Sequence, residues 1–224
     1  LIEEVVEMVS IYNVKAKFLI LDIETTLDGE IFDISFGIYS RQGGKIGSFG
    51  YIVAENEEKS LYFPNKAARY EEYKQQKRYK VEPFAKIMAI MAAIIRRDQP
   101  DYATAYNSGF DFTKIQEACK IAKIENPLEK LQEVDLYHMA TQTLGKQKWY
   151  KEFVDNNKLQ TPKGNRKTNA QTMYAYMILN PEFEEEHTGL ADIEIEIEIL
   201  ERVLRQKKKM DTKRNEKAWK IAQG

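Results

Sequence analysis

The sequence predicts an α/β fold: a mixed β-sheet flanked by helices on both faces. Three observations point to it. Three segments of strand length come first, the last two joined by a hairpin turn. Strand-like and helix-like segments then alternate. A long apolar stripe at helical spacing lies near the end of the chain. Strands first, then strands alternating with helices, is the order of a mixed sheet covered on both sides.

The elements follow in order. LIEEVVEMVS reads as a short amphipathic helix. Lys17-Phe18-Leu19-Ile20-Leu21-Asp22-Ile23 is an apolar run of strand length that ends in acids. Ile31 to Tyr39 and Lys45 to Val53 are the next strands, and Arg41-Gln42-Gly43-Gly44 between them is turn chemistry. Asn65 to Lys80 reads as a polar and aromatic helix, and Pro83 to Arg97 as an apolar one with Pro83 near its start. Asp101 to Ala105 is a short strand, Phe110 to Ile124 a helix, and Glu133-Val134-Asp135 a strand end. Leu136 to Leu144 and Ala170 to Leu179 are helical, and Gly145 to Thr168 is a long Lys-rich loop. The run Ile193-Glu194-Ile195-Glu196-Ile197-Glu198-Ile199 alternates like a strand. However, Leu190, Ile193, Ile197, Leu200 and Leu204 form a helical stripe that outlasts the alternation. Acid-before-base pairs such as Glu198–Arg202 support a helix from about Leu190 to Lys209.

Composition sets the bounds. A chain of 224 residues, 43% hydrophobic and 31% charged, fits one globular domain. Its core is expected over about 17–205, with a basic extension over 206–224; the basic stretch Arg205 to Lys220 reads as a solvated or frayed helix end. No apolar run approaches the ~20 residues of a membrane-spanning helix. The first residues lack the basic region of a signal peptide. With no initiator Met, residues are expected to precede Leu1. Cys119 cannot form an internal disulfide and reads as a small core residue in a reducing cytoplasm. A net charge of −1 neither favours nor excludes a nucleic-acid partner.

The chemistry starts at Asp22-Ile23-Glu24. Residues two apart in a strand share a face, so both carboxylates leave one side of a buried strand at its end. Like charges there are costly. A divalent cation such as Mg²⁺ or Mn²⁺ would resolve the cost; the alternative is a strand ending in solvated acids. In Tyr106-Asn107-Ser108-Gly109-Phe110-Asp111, Asn107 or Ser108 could cap the next helix, with Asp111 favoured in its first turn. Asp111 also stands as a third carboxylate at a second strand end, where open sheets bind ligands. His187 precedes the last helix and Asp192 lies in its first turn. A lone histidine there is also an ordinary cap or surface residue.

Taken together, Leu19-Ile20-Leu21-Asp22-Ile23-Glu24-Thr25-Thr26, then Asn107-Ser108-Gly109-Phe110-Asp111, then His187-Thr188-Gly189-Leu190-Ala191-Asp192 resemble the DEDDh, or DnaQ-like, 3′→5′ exonucleases. The resemblance spans about Phe18 to Leu204 and implies a ribonuclease H-like fold. It departs at Leu27, where the family commonly has Gly, and at Gly189, where it commonly has Ala. Asp22, Glu24, Asp111 and Asp192 would hold two divalent metal ions, Mg²⁺ or Mn²⁺. His187 would be the general base, its pKa raised by nearby acids. Thr25, Thr26, Asn107 and Phe110 would meet the terminal nucleotide, Phe110 being as well suited to the core. The implied partner is single-stranded DNA or RNA with a free 3′ end, in the cytoplasm, with a replication or repair complex as a further partner. The products would be nucleoside 5′-monophosphates.

Further readings concern substrate grip. Tyr70, Tyr73 and Tyr79 beside Lys74, Lys77, Arg78 and Lys80 suit base stacking and phosphate contact, or else a solvated amphipathic helix. The loop with Lys146, Lys148, Lys151, Lys158, Lys163, Arg166 and Lys167, plus Trp149 and Tyr150, suits the same role. His138 reads as structural, and Asp135 as a support to the site. The rival readings are a catalytically inactive nucleic-acid-binding module on the same fold, and an unrelated small nucleotide-binding domain. No GxGxxG or Walker-type loop supports the latter.

Overall fold

The computed structural model describes residues 10–61 and 66–224. The helix expected at the start of the chain falls on residues 1–9, outside the described residues. Strands β1 (Lys17–Thr25), β2 (Ile31–Ser40) and β3 (Gly44–Val53) form an antiparallel meander. Strand β4 (Tyr79–Glu82) runs parallel to β3, β5 (Tyr102–Ala105) parallel to β1, and β6 (Gln132–Asp135) parallel to β5. The six-stranded sheet has the order β4-β3-β2-β1-β5-β6. The helices are α1 (Ala67–Gln75), α2 (Phe84–Asp98), α3 (Ser108–Ala122), α4 (Leu136–Ala140), α5 (Lys148–Asn156), α6 (Ala170–Met177) and α7 (Gly189–Arg205). A π-helical turn, Thr141–Gly145, continues α4. Among the described residues, no helix is long and apolar enough to cross a membrane.

The mixed sheet with helices on both faces is as the sequence predicts. Strand β2 is buried along its whole length because both of its faces are covered. Alternate residues point to opposite faces. Ser35 and Gly37 face α7, which lies across β1, β2 and β3. Ile34, Phe36 and Ile38 enter the opposite layer, where Phe36 meets the rings of Phe49 and Tyr51 at 5.3 and 6.0 Å. Helix α7 sits very close to the sheet. A Cβ at Gly50 on β3 would lie 2.6 Å from Leu190 Cδ1. Its stripe of Leu190, Ile193, Ile197, Leu200 and Leu204 is buried, as are Ile195 and Ile199, while Glu194 and Glu198 are exposed. Burying each such side chain is worth about 1.5–3 kcal/mol, so the helical stripe outweighs the strand-like alternation.

Asp33 ties this packing together. It is fully buried on β2. Its Oδ2 accepts from Tyr70 Oη at 2.7 Å, Tyr79 Oη at 2.8 Å and the Gly189 N–H at 2.9 Å. Its Oδ1 accepts from Ser35 Oγ at 2.7 Å. Tyr79 Oη also accepts the Leu190 N–H at 2.9 Å. The first amides of α7, orphans by helix geometry, are thus satisfied by the sheet and by β4. Burial pushes the Asp33 carboxyl up to about 6 against the pull of these donors.

Several expected elements differ. The helix expected over Asn65 to Lys80 ends at Gln75. Lys77 turns the chain at φ 58°, and Tyr79–Glu82 then pairs with β3. Tyr70, Tyr73 and Tyr79 are buried, with rings packed on one another, so they are not a base-stacking surface. The loop expected over Gly145 to Thr168 contains α5 and a short antiparallel bridge between Gln160 and Arg166. Tyr150 there is buried and donates to Lys167 O at 2.6 Å, and Arg166 pairs with Asp155 at 2.8 Å. Helix α7 stops at Arg205, before a turn at Lys207 with φ 52°. The basic extension is not a frayed helix end: it folds back, giving Thr212 O to the Asp135 N–H and burying Ala218 and Ala222.

Replacing Asp33 with Ala would strand two tyrosine hydroxyls, a serine hydroxyl and the Gly189 amide in a dry site. A buried unpaired group costs about 1–3 kcal/mol, so chemical denaturation of Asp33→Ala should show a loss of about 3 kcal/mol or more. Asp33→Asn, which keeps an acceptor, should lose less. Equal stability of both variants and the parent would contradict this role.

Candidate functional site

On β1, Asp22 and Glu24 alternate with buried Leu21 and Ile23. In register they face Ser35 and Asp33, so both lie on the α7 side of the sheet. The parallel pairing of β5 with β1 brings the exit of β5 to the same edge. There Asn107 turns the chain at φ 70° and α3 begins at Ser108. Neither residue caps the helix with its side chain: Ser108 Oγ donates instead to Glu133 Oε1 at 2.7 Å. Asp111, in the first turn of α3, is buried and accepts the Ile23 N–H at 3.1 Å. From the other direction α7 delivers Asp192 in its first turn.

These elements converge. Carboxylate oxygens of Asp22, Glu24 and Asp192 lie within 4.8 Å of one another, and so do ligand atoms of Glu185, His187 and Asp192. Asp22 Oδ2, Asp192 Oδ1, Glu185 Oε1 and Glu196 Oε2 are buried without a hydrogen-bond partner among the described residues. Hard oxygen donors so placed suit a divalent cation of the Mg²⁺ or Mn²⁺ type. The acids could hold such an ion from β1 and α7 together. Beside them, a cleft of about 640 Å³ is lined by Lys66, Arg69, Gln171, Glu185, Glu186 and His187.

Burial and mutual repulsion shape the electrostatics. Burial, then Asp192 and Asp111, raise the Asp22 carboxyl well above its ordinary range. Burial chiefly pushes Asp111 and Asp192 up to about 8 and Glu185 up to about 7. Glu24 is raised by burial, offset in part by Lys66. The Lys66 ammonium is buried and paired with Glu24. His187 is half-exposed at φ 53°, with Nδ1 at 3.6 Å from Glu185 Oε2. Its pKa is lowered, by burial and then by Lys66 and Arg69. This corrects the expectation that nearby acids raise it: burial, with the Lys66 and Arg69 cations, outweighs the pull of Glu184.

The remaining predicted residues divide. Thr25 ends β1 at the rim and is partly exposed, while Asn107 is exposed. Phe110 is 46% exposed on the first turn of α3, so it is no core residue. Thr26 is fully buried and its Oγ1 accepts the Glu30 N–H, which turns its side chain to the turn after β1 rather than to the cleft. Asp135 caps α4 by accepting the Tyr137 and His138 amides. His138 is buried, with Nδ1 at 2.7 Å from Lys213 O, as a structural residue would be. Sequence reasoning missed Lys66, Glu185 and Glu196. For Glu196 a signal existed, since it lies one helical turn after Asp192. For Lys66 and Glu185 no local pattern marked them.

No family model matches the chain, and no curated protein matches it. Among solved structures it is similar to the nuclease domain of 3′hExo, described as a DEDDh family member bound to rAMP, with TM-score 0.60 and 11% identity. The match covers 89% of this chain and 97% of that one. The fold is ribonuclease H-like. At that identity the likeness is one of fold, and it extends over nearly the whole ribonuclease H-like domain.

The raised carboxyls set a pH dependence. With no divalent metal, Asp111 and Asp192 hold protons in the folded chain up to about 8, whereas ordinary aspartates release them near 3.8. The folded state therefore binds more protons between these values, and stability falls as pH rises through that window. Thermal midpoints in EDTA should decline from pH 5 to pH 8.5, and the decline should shrink in Asp192→Asn. A midpoint that rises over this range would refute the assignment.

Proposed function

We propose that the chain is a divalent-metal-dependent 3′→5′ exonuclease acting on single-stranded DNA or RNA and releasing nucleoside 5′-monophosphates. What carries this reading is the convergence of Asp22, Glu24 and Asp192, with buried oxygens left unpartnered, at one end of a ribonuclease H-like sheet. The rAMP described with 3′hExo belongs to the class of product proposed here.

In this reading Asp22, Glu24, Asp111 and Asp192 hold two ions, Mg²⁺ or Mn²⁺, which when bound stabilise charge on the attacking and leaving oxygens. Asp111 is held in place by the Ile23 amide. His187 accepts the proton of the attacking water, and its lowered pKa keeps the imidazole neutral and able to do so near pH 7. Glu185, beside Nδ1, orients the ring. Thr25, Asn107 and Phe110 at the rim meet the terminal nucleotide. A second reading, a binding module without catalysis, draws on one observation: Lys66 already pairs with Glu24, so an ammonium engages an oxygen that a metal ion would need as ligand.

Single-stranded DNA and RNA labelled at the 5′ end, incubated with Mg²⁺, Mn²⁺ or EDTA, separate the two. The exonuclease should give a ladder shortening from the 3′ end, with metal and not in EDTA. Asp22→Ala should lower the rate at least 10²-fold. Retention of substrate without cleavage in every metal would favour the binding module. The pH profile of kcat/KM adds a test of His187. At saturating metal its acidic limb should fall below the ordinary imidazole value and vanish in His187→Ala.

A further inference from the structure

Helix α7 carries a buried carboxylate that the resemblance does not account for. Glu196 is 3% exposed and lies one turn beyond Asp192. Its Oε1 accepts the Tyr106 N–H at 3.2 Å, at the exit of β5. Its Oε2 is buried with no partner among the described residues. The charges that act on it are Asp111, Asp192 and Glu185, and it in turn acts on Asp22. An acid with one oxygen satisfied, the other buried without a partner, and like charges acting on it is costly as an element of packing alone. Leu200, Ile197 and Ile193 show that apolar residues fit this face of α7.

We infer that Glu196 is a fifth carboxylate of the metal site, reaching an ion through its bound water from the α7 side. This rests on the exonuclease reading for the presence of the ions, and adds a residue to it. Like Asp111, Glu196 lies outside the cluster of Asp22, Glu24 and Asp192 oxygens within 4.8 Å; with its other oxygen held by the Tyr106 amide, contact through water asks no closer approach of it. Mg²⁺ loses its waters reluctantly and keeps several when bound. A fixed acceptor for those waters adds both charge and orientation. Groups acting at this distance typically change metal affinity 10–100-fold. The Tyr106 contact gives Glu196 its fixed position and couples the second motif to the helix that bears Asp192.

The test is Mn²⁺ binding to the nucleic-acid-free protein, by titration calorimetry and by the loss of the free-ion electron paramagnetic resonance signal. Glu196→Gln keeps an acceptor for the Tyr106 amide and removes the charge. It should weaken Mn²⁺ binding roughly tenfold while the circular dichroism spectrum stays that of the parent. Glu196→Leu, an apolar group of similar volume, should weaken it to a like degree. Asp22→Asn in parallel reports on the site itself and should weaken binding further. If Glu196→Gln binds as the parent does while Asp22→Asn is impaired, Glu196 is not part of the site. The same holds if only Glu196→Leu is impaired, since the Tyr106 contact is then what matters. If Asp22→Asn also binds as the parent does, the metal-site reading fails, and this inference with it.

Discussion

Asp33 lies near the start of β2 and collects hydroxyls from α1 and β4 together with the first amide of α7, so that separate segments end on one carboxylate. The order of these contacts explains the seating of the helix. An isolated helix start leaves its amides unsatisfied, and burying one against a sheet is costly unless an acceptor waits there. Asp33 supplies it, and Ser35 beside it fixes how close the backbone comes. A Cβ at position 189 would lie 2.7 Å from Ser35 Cβ and 2.9 Å from Asp33 Oδ2. Glycine at position 189 is thus what this close contact requires. With the helix start fixed, Asp192 has little freedom, and its approach to β1 follows.

That approach creates a conflict the core cannot resolve. Asp22, Glu24 and Asp192 meet at the end of β1, with Asp111, Glu185 and Glu196 near them. Lys66 offsets part of the charge through Glu24. The raised carboxyls relieve the rest, by holding protons that solvated acids would release. Deprotonated ligands and metal ions bind together. On the proposed reading, then, the same confinement that costs stability near neutral pH becomes affinity for divalent cations. The Lys66 pair is the contact that must yield or shift as Glu24 takes up a new partner.

Much of this was legible in the sequence. A continuous apolar run of strand length revealed β1, and the pair at Asp22 and Glu24 stood out because both acids share a face in a strand. The hairpin glycines set β2 and β3. The spacing of Leu190, Ile193, Ile197, Leu200 and Leu204 identified α7 against its alternating pattern. Other features depended on tertiary contacts. Strand β4 is short and sits where Tyr79 and Lys80 had looked like the end of a helix; pairing with β3, not local propensity, makes it a strand. Tyr70, Tyr73 and Tyr79 alternate with cations in sequence, yet their rings point inward to Asp33, Glu186 and one another. Lys66 and Glu185 come from segments with no pattern of their own.

Glu196 shows where the helical reading stopped short. A residue in an α-helix is rotated about 100° from its predecessor. Glu194 is therefore about 160° from Asp192 around the axis and Glu198 about 120°, whereas Glu196 is about 40° away. If Asp192 turns toward β1, Glu196 must turn nearly the same way, and the other two must face solvent, as they do. An unbroken alternation of Ile and Glu conceals this, because it invites one description for all three acids. The phase set by a single functional residue separates them. By the same count Ile193 lies about 60° from Glu196 and about 100° from Asp192, so the apolar stripe and the two acids occupy adjoining sectors of the helix, and the stripe that docks α7 on Gly37 also turns both carboxylates toward β1.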